Sequence, residues 1–191
     1  IRALRNHAKS TQEKSLAWRL HTLGWAGKHA LKLEGDFVEC GVFHGYSFAV
    51  LTDYLSFENV NKKLYLYDTY EGIPDGYNSE NRSNEVYKKL GDLAPQVRER
   101  FAKYPNVEVV KGTVPDSFKQ ACPEKISLLH IDMNSSKSEL AALEALYDKV
   151  VPGGIILFDD FGWYGYDKQT VAEIAFMKER NQYIMELPTG Q

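Results

Sequence analysis

Short runs of apolar residues alternate along the chain with longer stretches in which apolar positions recur at helical spacing. These are the two periods expected of strands and helices. Within residues 10–32, Leu16, Leu20, Leu23 and Ala26 fall on one helical stripe and predict one or two lead-in helices. Gly35 and Asp36 interrupt that stripe, and Phe37-Val38-Glu39-Cys40 then reads as a first strand running into a tight glycine turn. Further strands are predicted at 63–68, 107–111, 126–132 and 154–160, and helices at 46–55, 85–103 and 138–149. Such alternation implies βαβ units, hence an α/β, Rossmann-like, mainly parallel sheet with helices on both faces. The lead-in occupies residues 1–34 and the sheet-bearing domain residues 35–191. Residues 71–84, rich in Gly, Asn, Ser and Pro, read as a long mobile loop that can close over a ligand.

Glu39, Asp68, Asp132, Asp159 and Asp160 all fall at C-terminal ends of predicted strands. Open α/β sheets bind ligands at that edge. In the segment Glu39-Cys40-Gly41-Val42-Phe43-His44-Gly45 the glycines let backbone approach a ligand closely, in a spacing unlike the dinucleotide pattern. There Glu39 can accept a hydrogen bond from the amino group of a methionine moiety, and the helix start around Ser47 can receive its carboxylate. Asp68 is placed either to accept from ribose hydroxyls or to cap a turn. Gly112 and Thr113 can border an adenine or form an ordinary turn.

Asp132, Asp159 and Asp160 come from adjacent predicted strands, so three carboxylates can converge. Uncompensated, they would push one carboxyl toward protonation. A hard cation, Mg²⁺ before Ca²⁺ or Mn²⁺, relieves this and lowers the pKa of an alcohol, while Asp132, with Asp159 second, takes the proton. The other reading is that Asp159 and Asp160 cap the next turn. Asn134 can complete a metal shell or touch substrate, and His44 and His130 are either acid–base groups or structural. Phe161, Trp163, Tyr164 and Tyr166 can wall an acceptor pocket or pack in the core.

At 191 residues and 43% hydrophobic content the chain is long enough for one domain with a real core. Its net charge of -3, with scattered Lys and Arg, argues against nucleic acid as a partner. The absence of a long apolar run argues against a membrane span, so a cytoplasmic protein is expected. The two cysteines lack any pairing pattern and read as free thiols.

With these residues in hand the chain resembles the macrocin O-methyltransferase (TylF-like) family. The resemblance rests on Phe-Val-Glu-Cys-Gly-Val-Phe-His-Gly at 37–45, Tyr-Asp-Thr-Tyr-Glu-Gly-Ile-Pro at 67–74, and Leu-His-Ile-Asp-Met-Asn at 129–134. Pro-Gly-Gly-Ile-Ile-Leu-Phe-Asp-Asp-Phe-Gly at 152–162 and the closing Leu-Pro-Thr-Gly-Gln complete it. It implies a class I methyltransferase sheet with S-adenosylmethionine at Glu39, Gly41 and Asp68, and Mg²⁺ at Asp132, Asp159 and Asp160. It further implies a small acceptor, a sugar or polyol hydroxyl. Family members carrying antibiotic sugars usually read Asp-x-Asp-Leu-Tyr after the fourth strand, where this chain has Asp132-Met133-Asn134-Ser135-Ser136, so a different acceptor pocket is expected. The closing antiparallel strand of such sheets is expected to be absent from these residues.

A catechol acceptor fits the same chemistry, because one cation chelates vicinal phenolic oxygens equally well. A nucleotide-dependent oxidoreductase would need the dinucleotide glycine pattern. A non-catalytic nucleoside-binding relative would be expected to lose the acids or the Glu-Gly turn. Lead-in helices carrying Trp18 and Trp25 are candidates for contact with a second copy in a homo-oligomer.

Overall fold

The computed structural model describes residues 2–7 and 16–191. Helices α1 (Arg2–His7) and α2 (Ala17–Ala30) lead into β1 (Asp36–Cys40) and α3 (Tyr46–Leu55). There follow β2 (Leu64–Asp68), α4 (Glu85–Leu90), α5 (Ala94–Phe101) and β3 (Val107–Lys111). The chain continues through β4 (Ile126–Ile131), α6 (Ser136–Leu146), β5 (Val150–Phe158) and α7 (Asp167–Glu179). The five strands form one parallel sheet in the order β3-β2-β1-β4-β5. Strand order reverses between β1 and β4, which opens a crevice at their C-terminal ends.

Side chains alternate across each strand and so build two cores. Phe37, Leu64, Leu66, Leu128 and Leu157 meet residues of α2, α3 and α5 on one face. Val38, Tyr67, Leu129, Ile131 and Phe158 meet α6 and α7 on the other. The same alternation turns Glu39 and His130, register partners on β1 and β4, toward the first face. A helix lies close there: a Cβ on Gly27 of α2 would come within 2.7 Å of Leu51 of α3.

Several predicted elements are revised. The helix expected at 85–103 is two helices, because Gly91 adopts φ 69° and the Asp92 carboxylate caps the next helix by accepting from the Ala94 N–H at 2.9 Å. The fifth strand begins at Val150, and Asp159 and Asp160 lie just past its end. Helix α7 is an addition to the predicted elements: its buried residues Gln169, Glu173, Phe176 and Met177 mix polar with apolar and blur the hydrophobic stripe. Residues 182–191 add no strand. Part of the lead-in, residues 8–15, lies outside the described residues, where none of its predicted helix can be compared. Trp18 and Trp25 are largely exposed on α2. Cys40 and Cys122 are free. Among the described residues no helix is long and apolar enough to cross a membrane.

Candidate active site

Beyond the ends of β1 and β4 the backbone is tightly drawn together. Gly41 has φ +88°, and a Cβ there would sit 1.8 Å from the Asp132 carbonyl oxygen. Gly45, at φ +69°, leads into α3 with the Phe101 ring 2.9 Å from where its Cβ would be. Both glycines are therefore demanded by the fold itself. Asp68 completes the turn. Its Oδ2 accepts the N–H groups of Val42 and Phe43 at 2.7 and 2.8 Å, and its Oδ1 accepts that of Tyr70 at 2.7 Å. The expected ribose acceptor is thus engaged as a turn aspartate.

Asp68 nevertheless borders a cavity of about 180 Å³ together with Gly41, Gly112, Thr113 and Asp132, with Ile73 and Tyr87 opposite. With Asn134, which also lines it, six of the predicted residues therefore meet at one crevice. That volume falls below the roughly 300–1,000 Å³ of most small-molecule sites. Ser47 is a correction: it lies in a separate groove between α2 and α3, beside Trp18 and Trp25. Its place in the first turn of α3 turns it toward α2.

Beneath the glycine turn runs a buried polar row. His130 Nδ1 lies 3.2 Å from Glu39 Oε1, and Nε2 lies 3.5 Å from Asp159 Oδ1. Among the described residues both ring nitrogens make ion contacts without well-aligned hydrogen bonds, and Glu39 Oε2 has no hydrogen-bond partner. An orphaned buried carboxylate oxygen beside the glycine turn fits a cationic amino group. Burial opposes charging the His130 ring, yet Asp159 and Glu39 together raise it to about 10. Burial raises Glu39 to about 7 although His130 pulls the other way. His130 thus serves as a buried cation between two acids.

Sequence reasoning missed Arg19. This residue of α2 places one guanidinium nitrogen on Asp159 Oδ2 and another 3.0 Å from Asp160 Oδ1. Its Nε reaches the Thr189 carbonyl at 3.4 Å, and its Cζ stands 4.8 Å from the centre of the Trp163 ring. Gln191 donates to Asp159 Oδ1 at 3.0 Å. A lone arginine so far upstream in sequence carries no local signal of this role.

The three predicted metal ligands are close enough to act on one another. Burial first, then the charges of Asp159 and Asp160, hold the Asp132 carboxyl well above the usual carboxylate range. Asp159 lies below it, because His130, Arg19 and Gln191 outweigh burial. Asp160 is raised by burial and by Asp159, against the pull of Arg19. The set asks for positive charge, and Arg19 supplies it. Among the described residues no group of three or more His, Cys, Asp and Glu side chains is arranged to hold a metal ion. The expected Mg²⁺ ligands Asp132, Asp159 and Asp160 thus lie near one another, with Arg19 on Asp159 Oδ2 and Asp160 Oδ1 and Gln191 on Asp159 Oδ1.

The loop read as mobile is fastened. Glu80 accepts from the Ser136 hydroxyl at 2.6 Å, and Ser79 lies 3.1 Å from Ser135 Oγ. Arg82 donates to the Asn134 carbonyl at 2.6 Å and to Gln169 Oε1 at 3.0 Å, and stacks 3.9 Å over the Tyr166 ring. Asn134 in turn accepts the Tyr166 hydroxyl at 2.8 Å. Of the four predicted aromatics, Tyr166 is held by Asn134 and Arg82, Phe161 is core, and Trp163 and Tyr164 are exposed. His44 packs beside Phe43.

The chain is similar in sequence and fold to known proteins. The 8-demethyl-8-(2,3-dimethoxy-alpha-L-rhamnosyl)-tetracenomycin-C 4'-O-methyltransferase of Streptomyces olivaceus is 28% identical over 66% of this chain and 53% of its own length. The demethyldecarbamoylnovobiocin O-methyltransferase of Streptomyces niveus is likewise 28% identical, with the same coverage. The chain thus spans about half the length of these curated relatives. In fold it is similar to the O-methyltransferase NovP, with a TM-score of 0.70 at 22% identity over 85% of this chain and 72% of that one. CalS11, a calicheamicin methyltransferase, superposes with a TM-score of 0.65 at 17% identity, covering 98% of this chain and 85% of that one. Residues 19–186 match the family model described as Macrocin-O-methyltransferase (TylF), a span holding both the glycine turn and the acid cluster, and the chain belongs to that family.

Proposed function

We propose that this chain carries out S-adenosylmethionine-dependent O-methylation of a hydroxyl on the sugar of a glycosylated natural product. Family membership supports the reaction class, and the two curated relatives, named for rhamnosyl-tetracenomycin and novobiocin chemistry, support the acceptor class. The observation that carries the reading is the crevice itself. Gly41, Asp68, Gly112, Thr113 and Asp132 meet there at the ends of four neighbouring strands.

In this reading the nucleoside lies along Gly112 and Thr113, and the methionine amino group reaches the free oxygen of Glu39. Asp68 and Gly45 act through the shape of the turn. Asp132, which borders the cavity where Asp159 and Asp160 do not, takes the proton of the acceptor hydroxyl once opposing charge has drawn off its own. Asp159 holds His130 and Arg19 in place. Mg²⁺ belongs to this reading as the ion the three acids would hold if the guanidinium of Arg19 were displaced. A bound divalent cation would supply Lewis acidity to the acceptor oxygen.

The test is calorimetric titration with S-adenosylhomocysteine, followed by a methyl-transfer assay on glycosylated and deglycosylated forms of one polyketide, with a catechol alongside. Nucleoside binding with turnover of the glycosylated form alone is expected. Binding with turnover of the catechol instead would replace the acceptor class, and a folded chain that binds no S-adenosylhomocysteine would sink the reading.

A further inference from the structure

The turn that carries Asp132 into the crevice is held from outside the sheet, by side chains that converge on one residue of α7. Asp132, Met133 and Asn134 all line the cavity, and Asn134 adopts the left-handed backbone, at φ 58°. In a residue other than glycine such a conformation persists where its surroundings over-determine it. Here the Met133 N–H donates to Glu139 Oε1 at 3.2 Å, and the Asn134 carbonyl accepts from Arg82 Nε at 2.6 Å. The Asn134 side-chain oxygen accepts the Tyr166 hydroxyl at 2.8 Å, with the Arg82 guanidinium stacked on that ring.

Gln169 joins these contacts to one another. Its Nε2 donates at 2.8 Å to the same Glu139 oxygen that takes the Met133 N–H, and its Oε1 accepts from the Arg82 guanidinium at 3.0 Å. Glu139 and Gln169 are each 2% exposed, so water does not replace either bond. One end of the link must donate to a carboxyl group and the other must accept from a guanidinium. A side-chain amide does both while uncharged. Reversed, it would set its NH₂ against the guanidinium and its oxygen against the carboxyl group, so polarity fixes its orientation. The link spans α6, the loop over the crevice and α7, with Arg82 and Gln169 lying 87 residues apart in sequence.

We propose that Gln169 is a positioning residue of the crevice, holding Glu139 on the backbone before Asn134 and Arg82 on the backbone after it, and so fixing where Asp132 and Asn134 stand against bound cofactor and acceptor. Gln169 does not itself line the cavity, so it acts through the turn. The proposal deepens the methyltransferase reading and rests on it only for the affinity measurement.

The whole chain is compared as wild type, as Gln169→Met, which keeps the length and removes both ends of the amide, and as the swap Glu139→Gln with Gln169→Glu. In the swap the amide placed at 139 still accepts the Met133 N–H and donates to the carboxylate placed at 169, which accepts from Arg82, so every bond is restored. Hydrogen exchange of the Met133 amide is read by NMR against the strand amides of β4, so that a uniform loss of stability cancels. S-adenosylhomocysteine affinity is read by calorimetry on the same samples. Loss of two buried hydrogen bonds should speed relative Met133 exchange at least roughly tenfold in Gln169→Met. That variant should bind S-adenosylhomocysteine several-fold more weakly, and the swap should return both values to within about threefold of the wild type. Unchanged relative exchange in Gln169→Met, or a swap no better than Gln169→Met, overturns the proposal. So does faster exchange with undiminished affinity, which would make Gln169 a support of the fold alone. Should Gln169→Met fail to fold, Gln169→Asn, one methylene too short to reach both partners, takes its place with the same expectations. A folded wild type that binds no S-adenosylhomocysteine defeats the methyltransferase reading instead, and Met133 exchange with its rescue then decides by itself whether Gln169 holds the turn.

Discussion

His130 and Glu39 are register partners on parallel strands, with Nδ1 of the imidazole 3.2 Å from Oε1 of the carboxylate and both side chains buried. On its far side the same ring meets Asp159 at 3.5 Å. One cation thus links an acid below the glycine turn to an acid beside Arg19. Removing it leaves the buried Glu39 carboxylate without an opposing charge and leaves Asp159 to Arg19 and Gln191 alone. His130→Leu should lower unfolding stability by about 3–5 kcal/mol in urea titrations with an unchanged m-value. A loss under about 1 kcal/mol would mean the ring is merely filling space. Glu39→Gln should weaken S-adenosylhomocysteine binding more than it weakens the fold.

Gly41 tests how far the turn is a matter of packing. An added methyl group would meet the Asp132 carbonyl at 1.8 Å from a backbone at φ +88°. Gly41→Ala is expected to cost more than about 3 kcal/mol or to prevent folding. Gly91→Ala, with no atom within 4 Å but φ +69° and ψ −157°, should cost about 1–3 kcal/mol, less than Gly41→Ala. Similar melting temperatures for the two variants would contradict this account.

A second buried acid pair joins α6 to α7. Glu139 accepts the Met133 N–H at 3.2 Å and the Gln169 amide at 2.8 Å, and burial drives its carboxyl well above the usual range, with the charge of Glu173 adding to that. Burial also pushes Glu173 up to about 7, against the hydrogen bond with Glu139. A carboxyl raised on folding contributes stability that is complete below its unfolded value and lost as pH rises through the folded one. Wild-type melting temperature should therefore fall between about pH 5 and pH 8, by several degrees for a contribution on the order of 2 kcal/mol. Glu173→Gln should flatten that fall. An identical pH profile for the two proteins would show that the pair does not titrate in this window.

Arg82 is the principal tie of the loop over the crevice, holding the Asn134 and Gly165 carbonyls and the Gln169 side chain. Arg82→Ala should speed limited proteolysis within residues 71–84 severalfold, at a global cost of about 1–3 kcal/mol. S-adenosylhomocysteine should restore protection if the loop forms the outer wall of its site. Cleavage at the wild-type rate would show that Ser79 and Glu80 suffice.

Local pattern alone determined the succession of strands and helices and the collection of Glu39, Asp68, Asp132, Asp159 and Asp160 at one edge. Both follow from side-chain period and from the rule that parallel strands end on the same side. Gly41 and Gly45 were legible for the same reason, since a turn that must reverse within a few residues selects them. The break at Gly91 and the mixed faces of α7 escaped because there the stripe is interrupted by capping or by buried polar pairs. What each acid does was decided only in three dimensions. Asp68 is engaged by three backbone N–H groups, His130 lies between two carboxylates, and Arg19 is brought from the lead-in helix onto Asp159 and Asp160. Sequence spacing shows which charges reach an edge. Which of them are neutralised there depends on desolvation and on partners more than a hundred residues away, and only packing brings those together.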